Sequence, residues 1–432
     1  MPPPDSARAA PADPDMGALI ERYRQVRALS LALTAGLTDE DQCLQSMADA
    51  SPTKWHLAHT TWFFETFVLE PHEPEFAPHH PRYRYLFNSY YNTVGEQLPR
   101  PRRGLLSRPA VAEVRRYREA VDRRIEALLA SSSGSAVARI LEIGLNHEQQ
   151  HQELLVTDIK HALAQNPLAP ALVDPPLASS TAAAPESPAP FVTFEGGEHE
   201  IGHAGEGFCF DNERPRHTVL LRPFALASRP VTWGEYVQFM ADGGYDDPAL
   251  WLSDGWSWAQ TEGARAPLYV QKDAASDARS YTLAGVRELD PAEPATHLSF
   301  YEADAFARWA GKRLPTEAEW EVAAAVTRAG EGGADLLDAD RLHPRPVGGG
   351  DGIRGLIGGV WEWTASPYVG YPGYRPPAGA VGEYNGKFMC NQLVLRGGSC
   401  ATPRGHVRIS YRNFFPPDAR WQFSGLRLAD DP

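Results

Sequence analysis

The chain has 432 residues, with 41 basic against 55 acidic side chains and a formal net charge of -14. That length exceeds one ordinary core and implies at least two domains. The acidic balance argues against nucleic acid or an anionic membrane surface as the natural partner and for an ordinary soluble protein. Cys43, Cys209, Cys390 and Cys400 form no C-x-x-C pair, so neither a zinc ribbon nor a disulfide framework is expected, and a reducing cytoplasm fits. There is no basic-then-apolar leader and no run of about 18 apolar residues, so no export signal or membrane span is read.

In chain order, residues 1–15 are rich in Pro, Ala and Asp and read as a disordered leader. Residues 16–164 follow a helical pattern: Leu19, Tyr23 and Val26 with Leu29 and Leu33, then Ser51-Pro52 as N-cap and first helical residue of a segment running to Leu69. Further helices are expected over 108–130 and 136–163, with one long connection over 71–107. Four helices so joined predict an up-and-down bundle. Residues 165–190, dominated by Pro, Ala and Ser, read as a linker. From 191 to 432 short apolar stretches (Phe191-Val192, Thr218 to Leu221, Leu393 to Leu395, Gly425 to Leu428) alternate with Gly and Pro, and helical candidates lie at 232–241 and 300–325. The fold class is therefore multidomain, an α bundle followed by an irregular α+β domain.

The most informative stretch is Asn146-His147-Glu148-Gln149-Gln150-His151. Residues four apart share a helix face, so His147 and His151 project side by side and can grip one metal ion. Trp55-His56-Leu57-Ala58-His59, on a segment read as amphipathic, offers a third imidazole from either His56 or His59. Facing helices of a bundle commonly build such sites. Spacing alone gives a three-histidine site and no particular ion, because imidazole suits several transition metals. The same six residues contain H-E-x-x-H, which in a zinc hydrolase would make Glu148 the general base. Nothing downstream extends that pattern. His72, His79 and His80, in a Pro-rich connection, read as surface residues. Gly350 to Gly355 matches G-x-G-x-x-G in letters, but it follows no expected strand and opens no expected helix, so a loop is predicted there rather than a dinucleotide site.

With these residues identified, the chain resembles the ergothioneine-biosynthesis sulfoxide synthases over nearly its whole length. The N-terminal part looks like a DinB-like four-helix bundle. The remainder looks like a formylglycine-generating-enzyme-like, or C-type-lectin-like, domain, carried by Arg229-Pro230-Val231-Thr232, Lys312 to Trp320, Gly359-Val360-Trp361-Glu362-Trp363-Thr364, Leu395-Arg396-Gly397-Gly398-Ser399 and Gly425-Leu426-Arg427-Leu428. The resemblance implies an oxidoreductase with His59, His147 and His151 as ligands of ferrous iron and with O2 as co-substrate. The implied reaction joins a thiol donor to C2 of the imidazole of hercynine, the trimethylated histidine, with oxidation to the sulfoxide.

The resemblance further implies that Gln150 and Asn413 contact hercynine, with Phe414, Phe415 and Trp421 as candidate pocket walls suited to a quaternary ammonium. Tyr90 or Tyr91 is implied as a proton or hydrogen-bond donor at the metal, and Arg100 and Arg103 as clamps for the donor's carboxylate. The segment Phe414-Phe415-Pro416-Pro417 lacks the acidic residue that other branches place there, which argues against γ-glutamyl-cysteine. Cysteine is the expected donor. The related selenoneine synthases, which use a selenosugar, are the alternative, and a zinc hydrolase, a catalytically silent binding module and a cysteine-oxidising C-terminal domain using Cys390 and Cys400 stand behind them.

Overall fold

The computed structural model describes residues 16–131, 134–174, 187–205, 207–273, 277–330 and 333–432. The expected leader 1–15 and the central part of the expected linker, 175–186, lie outside the described residues. The bundle is built from α1 (Met16–Ala32), α2 (Thr53–Phe64), α3 (Val111–Ser131) and α4 (Ser135–Ala164). α3 shows why such sequences form bundles. Val111, Val114, Tyr117, Arg118, Val121, Ile125 and Leu129 recur at three- and four-residue intervals and are all buried, whereas its charged residues largely face outward.

α2 departs from its expected amphipathic character. All twelve of its residues are buried, including Lys54, His56, His59, Thr60 and Thr61. It is the central helix, covered by α3, α4 and the connection that follows it. Ser51 does not cap it: Pro52 occupies the N-cap, while the Ser51 hydroxyl accepts from Arg103 Nη1 at 2.9 Å and its amide donates to Asp158 at 2.8 Å. The expected continuous segment to Leu69 changes at Glu65 into a wider π turn, Glu65–Leu69, a local rewinding often found beside functional sites.

Beyond the bundle, strands Asn413–Phe415, Leu393–Arg396, Trp361–Pro367 and Ser424–Gly425 form a four-stranded sheet in that order, with the last pair parallel. Phe191–Phe194, Phe224–Ala227 and Ala429–Asp430 form a second, three-stranded sheet. Of the expected stretch Gly425 to Leu428, only Gly425 is in a strand. The single helical candidate at 300–325 is two helices, Phe300–Trp309 and Glu317–Val326. Gly311, at φ +65°, takes the left-handed conformation that ends the first. Ser299 with Glu302, and Thr316 with Glu319, cap the two helices reciprocally. Residues 350–355 contain neither helix nor strand.

One apolar cluster spans both parts. The cluster containing Trp55, Phe63, Leu141 and Leu155 also includes Tyr281, Leu283, Cys400 and Phe423. Residues 165–174 of the expected linker run along the C-terminal part: the amides of Leu172 and Val173 donate to Leu283 O at 2.7 and 2.9 Å, and Tyr281 donates to Pro170 O at 2.7 Å. Among the described residues no helix is long and apolar enough to cross a membrane.

Candidate active site

α2 and α4 lie side by side, and the helical repeat of α4 sets His147 and His151 one turn apart facing α2. The ligand atoms of His59, His147 and His151 all fall within 4.8 Å of one another, and the ring centroids are 4.6–4.9 Å apart. His59 Nε2 is 3.2 Å from His147 Nε2. Burial holds His59 and His151 well below the ordinary imidazole range, reinforced by neighbouring imidazoles, and pushes His147 down to about 4. Three uncharged imidazoles converging on one point are the donor set a divalent transition metal requires. His56 takes a different position: its Nδ1 is 2.9 Å from His151 Nδ1 and its Nε2 is 3.1 Å from Asp158 Oδ2.

Glu148, between the two ligand histidines in sequence, points the other way. It accepts from Arg27 Nη1 at 2.8 Å, Arg118 Nη2 at 2.8 Å and Ser30 Oγ at 2.6 Å. Burial alone would raise its pKa, but Arg118 and Arg27 hold it down to about 2. A carboxylate so engaged is not available as a base at the histidine cluster, which corrects the zinc-hydrolase expectation. Cys390 is exposed and Cys400 is buried, both as free thiols, so the paired arrangement needed for cysteine oxidation is not formed.

The histidines line a cavity of about 650 Å³ walled by both parts of the chain. It is also lined by Tyr90, Tyr91, Arg100, Arg103, Gln150, Asn413, Phe414, Phe415 and Trp421, so the structure brings the residues that the resemblance implied to one space. Their local partners differ. Arg103 is buried, lies with Cζ 3.4 Å from the Trp55 ring centroid, and donates to the hydroxyls of Ser51 and Ser89 at 2.9 Å. It has no carboxylate partner among the described residues, and burial together with Arg100 pushes its guanidinium down to about 9. Arg100 donates to the Tyr90 hydroxyl at 2.9 Å and to the backbone carbonyl of Asp49. Tyr91 packs on Trp62, Phe63 and Phe67, and Phe63 in turn packs on His147 at 4.7 Å. Burial raises the Tyr91 phenol above its ordinary range, and its hydroxyl has no hydrogen-bond partner among the described residues.

Gln150 donates to the Tyr411 hydroxyl at 2.9 Å. The Asn413 side-chain oxygen accepts from the Phe414 amide at 2.9 Å, and Phe414 stacks on Tyr368 at 4.0 Å. Several cavity neighbours had not been singled out: His56 as a partner rather than a ligand, Asp158, Tyr411, and Glu153, which accepts from Trp361 and Thr402, each at 2.7 Å. A signal for Asp158 was present, since it lies seven residues, two helical turns, beyond His151 on the same face of α4. Tyr411 and Trp361 have no such local signal, because only tertiary folding brings them to α4.

Comparison with known proteins gives this site a context. Residues 22–155 match the DinB superfamily, and residues 178–348 and 349–432 match the sulfatase-modifying factor enzyme 1-like domain. Hercynine oxygenase of Mycolicibacterium smegmatis is 32% identical, covering 88% of this chain and 91% of that protein. Hercynine oxygenase of Mycobacterium tuberculosis is 32% identical over 94% of this chain and 97% of its own length. A formylglycine-generating enzyme of Streptomyces coelicolor is 31% identical, covering 58% of this chain and 92% of that enzyme. A DinB-like helical region followed by a sulfatase-modifying-factor-like domain, with relatives matched over nearly their full length, shows that this chain is an enzyme belonging to the hercynine oxygenase family.

Proposed function

We propose that the protein is an iron(II)- and O2-dependent enzyme that joins C2 of the hercynine imidazole to the sulfur of cysteine, giving the sulfoxide. The observation that carries this reading is the cluster of His59, His147 and His151 at a cavity walled by both domains. Bound there, ferrous iron would supply the site at which O2 is reduced, and three protein ligands leave positions for exogenous ligands. The overall change balances as one C–H and one S–H bond broken, one C–S bond and one S=O bond formed, and the second oxygen atom released as water.

The protein's own groups fit the remaining tasks. The indole of Trp421 and the phenyl faces of Phe414 and Phe415 suit the trimethylammonium of hercynine, and the amides of Gln150 and Asn413 suit its polar edge. Tyr90 and Tyr91 both line the cavity and either can donate there: burial keeps the Tyr91 phenol protonated, and the Tyr90 hydroxyl, which accepts from Arg100, keeps its own O–H. A buried guanidinium without a carboxylate partner is costly unless an anionic ligand completes it, so Arg103 favours a donor bearing a carboxylate.

The test is anaerobic loading with Fe(II), then O2 exposure with hercynine and competing cysteine, γ-glutamyl-cysteine and selenosugar donors, reading product masses. A hercynine–cysteine sulfoxide is expected. A selenium adduct alone would reassign the donor and the role of Arg103, and the absence of any O2-dependent product would sink the proposal.

A further inference from the structure

Two of the three clustered imidazoles have the nitrogen remote from the cluster held by the protein, and they are held by different means. His59 Nδ1 faces the backbone carbonyl of Phe87 at 2.6 Å. A carbonyl only accepts, so Nδ1 carries the proton and Nε2 keeps its lone pair. His151 Nδ1 faces another imidazole, His56 Nδ1, at 2.9 Å, and an imidazole can either donate or accept. The ambiguity is resolved one group further out. His56 Nε2 lies 3.1 Å from Asp158 Oδ2, and Asp158 also receives the Ser51 amide at 2.8 Å and the Trp421 indole N–H at 3.2 Å. As a carboxylate Asp158 can only accept, so His56 carries its proton on Nε2 and presents a lone pair at Nδ1. With His56 neutral, His151 donates from Nδ1, leaving Nε2 unprotonated.

We propose that His56 and Asp158 are positioning residues that set the tautomer and ring orientation of His151, and that the C-terminal domain takes part in metal binding through the Trp421–Asp158 hydrogen bond. The proposal rests on the metal-site reading of His59, His147 and His151. All three outer side chains are largely buried: Asp158 and His56 are each 3% exposed and Trp421 is 9% exposed. Water therefore competes poorly for these hydrogen bonds. Trp421 also lines the cavity, so one side chain of the C-terminal domain touches both the substrate space and the chain of hydrogen bonds that ends on His151.

The discriminating variant is Asp158→Asn. It preserves shape but replaces one acceptor with an N–H donor: at the Oδ2 position the amide N–H would face His56 Nε2 and drive the proton of His56 to Nδ1 and that of His151 to Nε2, the wrong nitrogen for a ligand, and at the Oδ1 position it would break the Trp421 hydrogen bond instead. Loss of an outer partner of a metal-bound histidine typically weakens metal binding about 10- to 100-fold, and that range is expected for Co(II) binding measured by chelator competition. Long-range 1H–15N correlation on the metal-free protein with labelled histidines should show His151 protonated at Nδ1 in the wild type; in Asp158→Asn a move to Nε2 marks the amide N–H at His56, and an unmoved proton with weaker Co(II) binding marks it at Trp421. Trp421→Phe, which removes the indole N–H together with part of the ring, should weaken Co(II) binding by a smaller factor and keep the wild-type tautomer.

If wild type and folded Asp158→Asn bind Co(II) equally and show the same His151 tautomer, the positioning role is wrong while the metal site stands. If the wild type itself binds no Co(II), both the metal-site reading and this inference fall. Should Asp158→Asn not fold, the wild-type tautomer and the Trp421→Phe affinity decide: Nε2 protonation of His151 in the wild type, or unchanged binding in Trp421→Phe, overturns the proposal.

Discussion

Two faces of one helix, α4, use polar residues in opposite ways. On one, His147 and His151 meet His59 with their inward nitrogens directed at one another and no charge among them. On the other, Glu148 is saturated by Arg27, Arg118 and Ser30 and ties α1, α3 and α4 together. The first cluster is the candidate metal site; the second is complete and closes the bundle. Adjacent residues in one motif thus serve binding and stability separately, because a one-residue step on a helix turns the side chain by about 100°.

The sharpest way to break this contrast is Glu148→Ala. It leaves two buried guanidinium groups without their shared carboxylate and should cost about 3–5 kcal/mol of stability in denaturant unfolding. The pH dependence follows: a folded pKa near 2 against the ordinary 4.5 means Glu148 contributes its full stabilisation above the ordinary carboxylate range and loses it as pH falls through about 2. A cost under 1 kcal/mol would show that the cluster does not close the bundle. His147→Ala and His151→Ala should behave in reverse. Metal affinity should fall by more than the roughly 100-fold that outer partners cost, while the unfolding midpoint of the metal-free protein moves less than in Glu148→Ala.

Arg103→Met sharpens the comparison by testing whether a second incomplete group exists in the cavity. Charge-assisted hydrogen bonds are worth about 1.5–3 kcal/mol, so KM for a carboxylate-bearing donor should rise about 10- to 100-fold with kcat little changed. An unchanged KM would point to a donor without a carboxylate. A pH-dependent effect is expected at Lys160, which donates to His297 Nε2 at 2.7 Å across the domain interface. Burial pushes its ammonium down to about 7 from the ordinary 10.5. The unfolded chain therefore binds more protons between those values, and stability rises with pH across that window. Lys160→Met should raise the free energy of unfolding more at pH 6 than at pH 10. A difference independent of pH would show that the lysine carries no buried-charge cost.

The legible part of the site came from local periodicity. The i, i+4 spacing of His147 and His151 needs only a helix to become a shared face, and the helix is marked by its apolar repeat. Where the partner lay across the fold, the sequence was silent or misleading. Ser51-Pro52 has the letters of a helix start, yet Ser51 serves Arg103 and Asp158. The H-E-x-x-H letters suggested a base at Glu148, yet arginines on α1 and α3 claim it.

The sequence by itself therefore determined the bundle helices and the paired histidines of α4, because these depend on periods and on residue type, while its resemblance to a known family carried the type of the second domain and the remaining candidate site residues. Only the tertiary structure decided that His56 stands behind His151 rather than beside it, that α2 is buried on every side, and that Arg103 and Trp421 share one cavity. Those outcomes depend on which elements pack together, and contacts between residues hundreds of positions apart leave no local period to read.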